Sequence, residues 1–265
     1  MFEPFRAEIS FKSLEQLNQK IEFLVKNNIL NINIPCKGNI KKDFLFEIIE
    51  YLGVNYSNLN VIYHYSFYHQ FIKNKKESYE YFLNFIDKCY SFKNKEILLV
   101  SGSKKRKDFN TISILNQLRY YFKPNIKFGI AFNPYFPLIQ DINEEKTRLL
   151  EKLSSGLINS IWLQLGSDVN LLEKSILFLK ENTKDKDIKL YGSLFVPSKQ
   201  NLARFKFRPW KGVFFSDQYL NSIEKANHET IEILKIYLKH EIDVLVESEC
   251  SSIKQLENAK SILGI

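Results

Sequence analysis

Apolar residues recur along this chain in two alternating rhythms, short runs of four to eight and longer stretches with apolar positions three and four apart. The first rhythm reads as buried strands and the second as helices with one apolar face. Strand-like runs fall at 6–9, 29–34, 59–65, 96–100, 126–132, 158–163, 188–195 and 242–247. Between them the spacing predicts helices over 13–26, 41–52, 77–90, 111–122, 144–156, near 170–181, over 216–240 and over 252–262. Leu14, Leu17, Ile21 and Leu24 set the first helix, Gly53 is expected to close the second, and residues around Pro197 and Pro209 form a broken region. The clearest unit is 144–168, where Asn143 should cap a helix with Leu149, Leu150 and Leu153 on one face. Gly156 should stop it, and a buried strand follows at once.

Strict alternation of eight strands with about eight helices in one chain argues for a single (β/α)8 TIM barrel domain, with a doubly wound open sheet as the alternative. No glycine- or serine-rich linker interrupts residues 1–265, so one domain is expected over the whole length. In a barrel, ligands bind at the carboxyl ends of the strands, because the loops there aim side chains into one mouth.

Composition narrows the partners. The formal net charge is +8, but the excess is lysine; arginine, the usual fork for bases and phosphates, is confined to positions 6, 106, 119, 148, 204 and 208. That balance favours anionic small ligands over nucleic acid. Cys36, Cys89 and Cys250 lie far apart and form no CxxC pair, so neither a disulfide framework nor a metal site is expected. No apolar run approaches the roughly 18 residues of a membrane span, and the first residues lack the basic and apolar regions of a signal peptide; a cytoplasmic protein with no membrane contact is the expectation.

The candidate residues are those at predicted strand ends: Glu8, His64, Ser101, Gly102, Ser103, Phe132, Asn133, Gln164 and Glu247. Glu8 is an acid among Phe5, Ala7 and Ile9, where it either pairs with Arg6 or a lysine or does chemistry. His64 sits in an aromatic strand, a setting also suited to a hydrogen-bonded core residue. Glu145 and Lys152 lie seven apart and share a helix face, although Glu145 could equally serve the helix N-terminus and Lys152 could be solvated. The run from Lys104 to Lys107 is a basic loop. There is no Gly-rich phosphate loop, no G-x-S-x-G and no H-E-x-x-H.

Taken in order, these strand ends resemble the methylenetetrahydrofolate reductase family over residues 5–246. FRAEIS is similar to the family's S-F-E-F, and His64-Tyr65-Ser66-Phe67 to its H-L-T-C. Lys152, Gly156, Leu163-Gln164 and Asp168 follow its K-x-x-x-G, T-Q and Asp with one extra residue, and Gly192 to Pro197 loosely follows a P-G-I-x-P turn. The departures are Val100-Ser101-Gly102-Ser103 for L-R-G-D, and Phe136 for the histidine of Y-P-x-x-H-P.

The resemblance implies an FAD-containing barrel that reduces 5,10-methylenetetrahydrofolate to 5-methyltetrahydrofolate with electrons from NAD(P)H. Glu8 would then be the general acid and Gln164 would orient the folate substrate. His64, Ser101, Gly102, Ser103, Phe132, Glu145 and Lys152 would line the flavin, with a homo-oligomer or partner subunit as further expectations. The alternative within the same resemblance is a flavin-less, non-catalytic or regulatory barrel that binds folate or a protein partner.

Overall fold

The computed structural model describes residues 5–37, 43–92, 96–102, 109–119 and 126–265. Eight parallel strands, β1 (Arg6–Glu8), β2 (Asn31–Ile34), β3 (Asn60–Ser66), β4 (Glu96–Val100), β5 (Lys127–Phe132), β6 (Ile158–Leu163), β7 (Lys189–Leu194) and β8 (Asp243–Val246), close in sequence order. The chain is a (β/α)8 TIM barrel, as the alternation predicts. Among the described residues the helices are α1 (Leu14–Lys26), α2 (Phe44–Asn55), α3 (Lys75–Ser91), α4 (Thr111–Leu118), α5 (Ile139–Leu153), α6 (Val169–Thr183), α7 (Lys199–Phe207), α8 (Asp217–Asn221), α9 (Ile223–Lys239) and α10 (Ile253–Leu263).

Helix starts follow side-chain chemistry. Ser13, Asn74, Asp168, Ser198, Ser216, Ser222 and Ser252 each accept a backbone N–H of the first turn, and Asn110 with Ser113 forms a reciprocal capping box. Several expectations change for local reasons. Gly53 does not end α2; the helix runs on to Asn55, and the missing side chain makes room for the Phe92 ring, whose nearest atom lies 2.3 Å from where a Cβ would sit. Asn143 is not a cap, because α5 starts at Ile139, just after Pro137; Leu149 and Leu153 are buried but Leu150 is 43% exposed. The single helix over 216–240 divides at Ser222 into α8 and α9, and the segment between Pro197 and Pro209 contains α7.

Contacts gather the chain into two compact units. One comprises the start of the chain through Ala7 with Ala131–Leu150 and Ser160–Ile265. In it, β1 pairs β8 and β6 pairs β7, with Arg6 opposite Leu245 and Trp162 opposite Tyr191. Gly192 faces outward, its absent side chain filled by the Tyr237 ring of α9, so alternation turns Tyr191 and Ser193 into the barrel. Tyr191 stacks on Trp162 at 3.9 Å with 9° between the rings, and the buried Arg6 guanidinium lies 5.9 Å from the Tyr191 centroid. Trp162 Nε1–H donates to Ser160 Oγ at 2.8 Å, so the polar edge of the stack is satisfied.

The second unit comprises Glu8–Ile130 and Glu151–Asn159. Here β2, β3 and β4 are in register, with Asn33 opposite Ile62 and His64 opposite Leu98. Tyr63 and Tyr65 meet Phe82 and Phe85 of α3 at 4.6–6.5 Å, which places them in the helix layer. Alternation therefore turns Ile62, His64 and Ser66 toward the barrel interior.

Candidate functional site

The second unit carries the polar cluster with most chemical reach. Glu8 ends β1 with its side chain 9% exposed, and its Oε1 lies 3.0 Å from Lys37 Nζ, on the segment that follows β2. Its Oε2 lies 4.0 Å from His64 Nδ1. The other ring nitrogen, Nε2, is 2.9 Å from Asn33 Nδ2, and Asn33 is wholly buried in β2. With the Asn33 amide nitrogen as donor, Nε2 must accept, and the ring proton sits on Nδ1 facing the carboxylate. Three consecutive strands thus deliver a carboxylate, an oriented imidazole and a lysine to one place.

Exposure divides the roles. The Lys37 side chain is 45% exposed, so its pair with Glu8 is a weak, screened one that a substrate anion can compete for. His64, 12% exposed at its side chain, and Glu8 are held more firmly. Beside Lys37, Cys36 Sγ accepts from Gln70 Nε2 at 3.2 Å, and burial pushes this thiol above its ordinary range, which leaves it a poor nucleophile. Glu8 and His64 are among the strand-end candidates; Asn33 and Lys37 are not. The alternation Asn31-Ile32-Asn33-Ile34 was the available signal for Asn33, since it puts a polar group inward from a buried strand.

Among the residues expected to line a flavin, Ser101 has an internal partner. Ser101 Oγ is 2.9 Å from Thr111 Oγ1 and accepts the Thr111 N–H at 3.4 Å, tying the β4 end to the start of α4. Gly102 has φ +91° with Tyr68 Cβ 2.5 Å from where its own Cβ would stand, so glycine is required there by the turn itself. Ser103 and the run from Lys104 to Lys107 lie outside the described residues. Lys152 is 8% exposed rather than solvated.

In the first unit, Phe132 is wholly buried and contributes its carbonyl, which accepts from Gln164 N–H at 2.9 Å. Glu145, 7% exposed, is an internal clamp: Oε1 accepts the Asn133 N–H at 3.2 Å, and Oε2 accepts Arg148 Nε–H at 3.1 Å and Nη2–H at 2.5 Å. It therefore serves neither the α5 N-terminus nor an open pocket. Asn133 continues the clamp, accepting Tyr135 N–H at 3.0 Å and donating to Gly212 O at 2.8 Å. Gln164 is half-buried; its Oε1 accepts the Leu165 N–H at 2.9 Å, which leaves the amide NH2 as the group it can offer a ligand. Glu247 is half-buried, and its N–H extends the β7–β8 pairing by donating to Leu194 O at 3.0 Å. Asp168 caps α6 through Leu171 N–H at 2.9 Å.

Ser101, Phe132 and Glu145 thus have engagements within the protein. Among the described residues no three His, Cys, Asp or Glu side chains are grouped to hold a metal ion. No described helix is long and apolar enough to cross a membrane.

No family model matches the chain, and no curated protein matches it. Solved structures match its fold. An aldo/keto reductase from Brucella melitensis superposes with TM-score 0.52 at 13% identity, over 99% of this chain and 88% of that one. An aldo/keto reductase from Klebsiella pneumoniae in complex with NADP and acetate gives TM-score 0.52 at 10% identity, over 98% and 85%. Active domain 2 of a chitinase from Pyrococcus furiosus gives 0.54 at 10% identity, over 93% and 84%. At such identities the likeness is one of barrel architecture.

Proposed function

We propose that the chain is a nicotinamide-dependent reductase of a methylene-bridged folate, with Glu8 giving the proton and His64 orienting it. The observation that carries this reading is the Glu8–His64–Asn33–Lys37 cluster at the ends of β1 to β3. The resemblance at FRAEIS and His64 supplies the substrate, and the NADP-bound reductase of the same barrel architecture supports a nicotinamide as hydride donor.

The chemistry is a proton and a hydride added across a carbon–nitrogen bond. Glu8 gives a proton to the bridging nitrogen, which opens the ring to an iminium; hydride from the nicotinamide then reduces that carbon to a methyl group. His64 Nδ1–H faces Glu8 and orients its carboxyl, and the carboxylate left by the transfer takes up its next proton from water on the half-exposed Lys37 side. Lys37, exposed and already facing a carboxylate, offers a counter-charge to the acidic part of the substrate.

The test is stopped-flow oxidation of NADPH and of NADH with methylenetetrahydrofolate. Glu8→Gln should retain substrate binding and lose at least about a hundredfold in turnover, the ordinary scale of a general acid. Turnover equal to the wild type in that variant would falsify the assignment. The internal engagements of Ser101, Phe132 and Glu145 favour a second reading, a flavin-less barrel that binds folate without reducing it. Folate binding with no NAD(P)H oxidation, with and without added FAD, would select it.

A further inference from the structure

Residues 199–215 carry Lys199, Arg204, Lys206, Arg208 and Lys211 and no acid. Four of these cations, Arg204, Lys206, Arg208 and Lys211, are exposed, and none makes an ion pair with a described residue. Some other surface cations have partners, as Lys88 does in Glu50, Lys189 in Asp243, Lys235 in Glu232 and Lys239 in Glu173.

What sets this segment apart is the apolar groups that accompany its cations. Phe205 anchors α7 inward, with its ring 4.7 Å from Trp210, 4.9 Å from Phe215 and 5.1 Å from Phe195. Two residues on, about 200° around the helix, Phe207 points outward and is 90% exposed. The neighbouring turn adds Leu138 at 64% exposure, and Ile139, the first residue of α5, adds 80%. That turn is fastened to the basic segment by the bond from Asn133 to Gly212 and by the Phe136–Phe214 ring contact at 5.6 Å. Phe207 and Ile139 are the most exposed large apolar side chains among the described residues.

We infer that the end of α7 and the turn before α5 form a docking surface for an anionic phospholipid bilayer. Exposed apolar tips with cations on the same and the adjoining segment match the interfacial region, where apolar groups enter the acyl boundary while lysine and arginine stay among acidic headgroups. A single-stranded nucleic acid would instead need aromatic faces for its bases, and two of the three tips are aliphatic. This surface shares no residue with the proposed catalytic cluster.

The experiment is co-sedimentation of the full chain with vesicles of phosphatidylcholine alone and of phosphatidylcholine mixed with phosphatidylglycerol, at low and high salt. Binding is expected only to the mixed vesicles and should weaken with salt. Arg208→Gln with Lys211→Gln should reduce it roughly thirtyfold, at about 1 kcal/mol per cation, and Phe207→Ser roughly tenfold. All these residues are exposed, so circular dichroism should show each variant folded. Absence of sedimentation with mixed vesicles at low salt would overturn the inference. So would binding indifferent to these substitutions, or oligouridylate binding that depends on the same residues while vesicles are ignored.

Discussion

Replacing Glu145 by glutamine separates a structural clamp from a ligand-binding carboxylate. The wild-type carboxylate is 7% exposed and accepts three N–H groups, one from Asn133 and two from Arg148. Glutamine has the same shape but one acceptor oxygen, so whichever way the amide turns, an NH2 faces a donor. Arg148 is 25% exposed at its side chain and also contacts Glu144, so it recovers part of its solvation. Charge-assisted hydrogen bonds are worth about 1.5–3 kcal/mol each, and with that recovery the net loss is about 2 kcal/mol.

Glu145→Ala removes every acceptor and should cost about 3–5 kcal/mol. Urea denaturation at neutral pH measures both, and for a chain of this size Glu145→Gln should lower Tm by about 4–8 °C. A cycle with Arg148→Met should return a coupling of about 1–2 kcal/mol, since most of the loss is the shared pair. A Glu145→Gln variant within about 0.5 kcal/mol of wild type, but weaker in binding an added flavin or nucleotide, would refute the clamp.

Gly192→Ala would place a Cβ 2.3–2.5 Å from three ring carbons of Tyr237, which is wholly buried and donates its hydroxyl to Ser193 O at 3.1 Å. With nowhere for the ring to go, thermal denaturation should show a loss of about 1–3 kcal/mol. Ser101→Ala deletes the 2.9 Å bond to Thr111 and should cost about 1 kcal/mol in urea while leaving NAD(P)H oxidation unchanged. His69 and His240 are both held below the ordinary histidine range, chiefly by burial; at His240, Lys180 and Lys239 add to the effect and outweigh Glu173, 3.8 Å away. The unfolded chain therefore takes up these protons first as pH falls. Their contribution is complete above about pH 6.5 and is lost progressively below it. The urea midpoint should drop on acidification through that window, and His240→Gln should flatten part of the drop.

The barrel was legible because its strands and helices differ in period, and period survives without knowledge of neighbours. What the sequence hid depends on partners distant along the chain. Gly53 looks like a stop signal until Phe92 is seen occupying its side-chain space. Asn143 and the two acids after it look like a helix start, yet Glu145 spends its carboxylate on Asn133 and Arg148 inside a helix already a turn old. Prolines at 197 and 209 suggested irregular chain, but they bracket a segment long enough for α7, which Ser198 caps. At the candidate site, Glu8 and His64 were visible as polar residues among apolar neighbours. Lys37 was not, since a lysine in a loop has no local mark that it reaches a carboxylate on another strand.

The chain contains two tryptophans, and only Trp162 lies in the barrel wall, stacked on Tyr191. Two aromatic chromophores held parallel at 3.9 Å couple their electronic transitions, so the pair carries a near-ultraviolet optical signature belonging to the contact rather than to either ring. Trp210, on the loop after α7, meets Phe205 at 4.7 Å with the rings tilted at 56°. The protein thus has a built-in optical gauge of the seam between β6 and β7. Fading of that signature ahead of the helical signal would mark the step at which the wall parts while the helices are still formed.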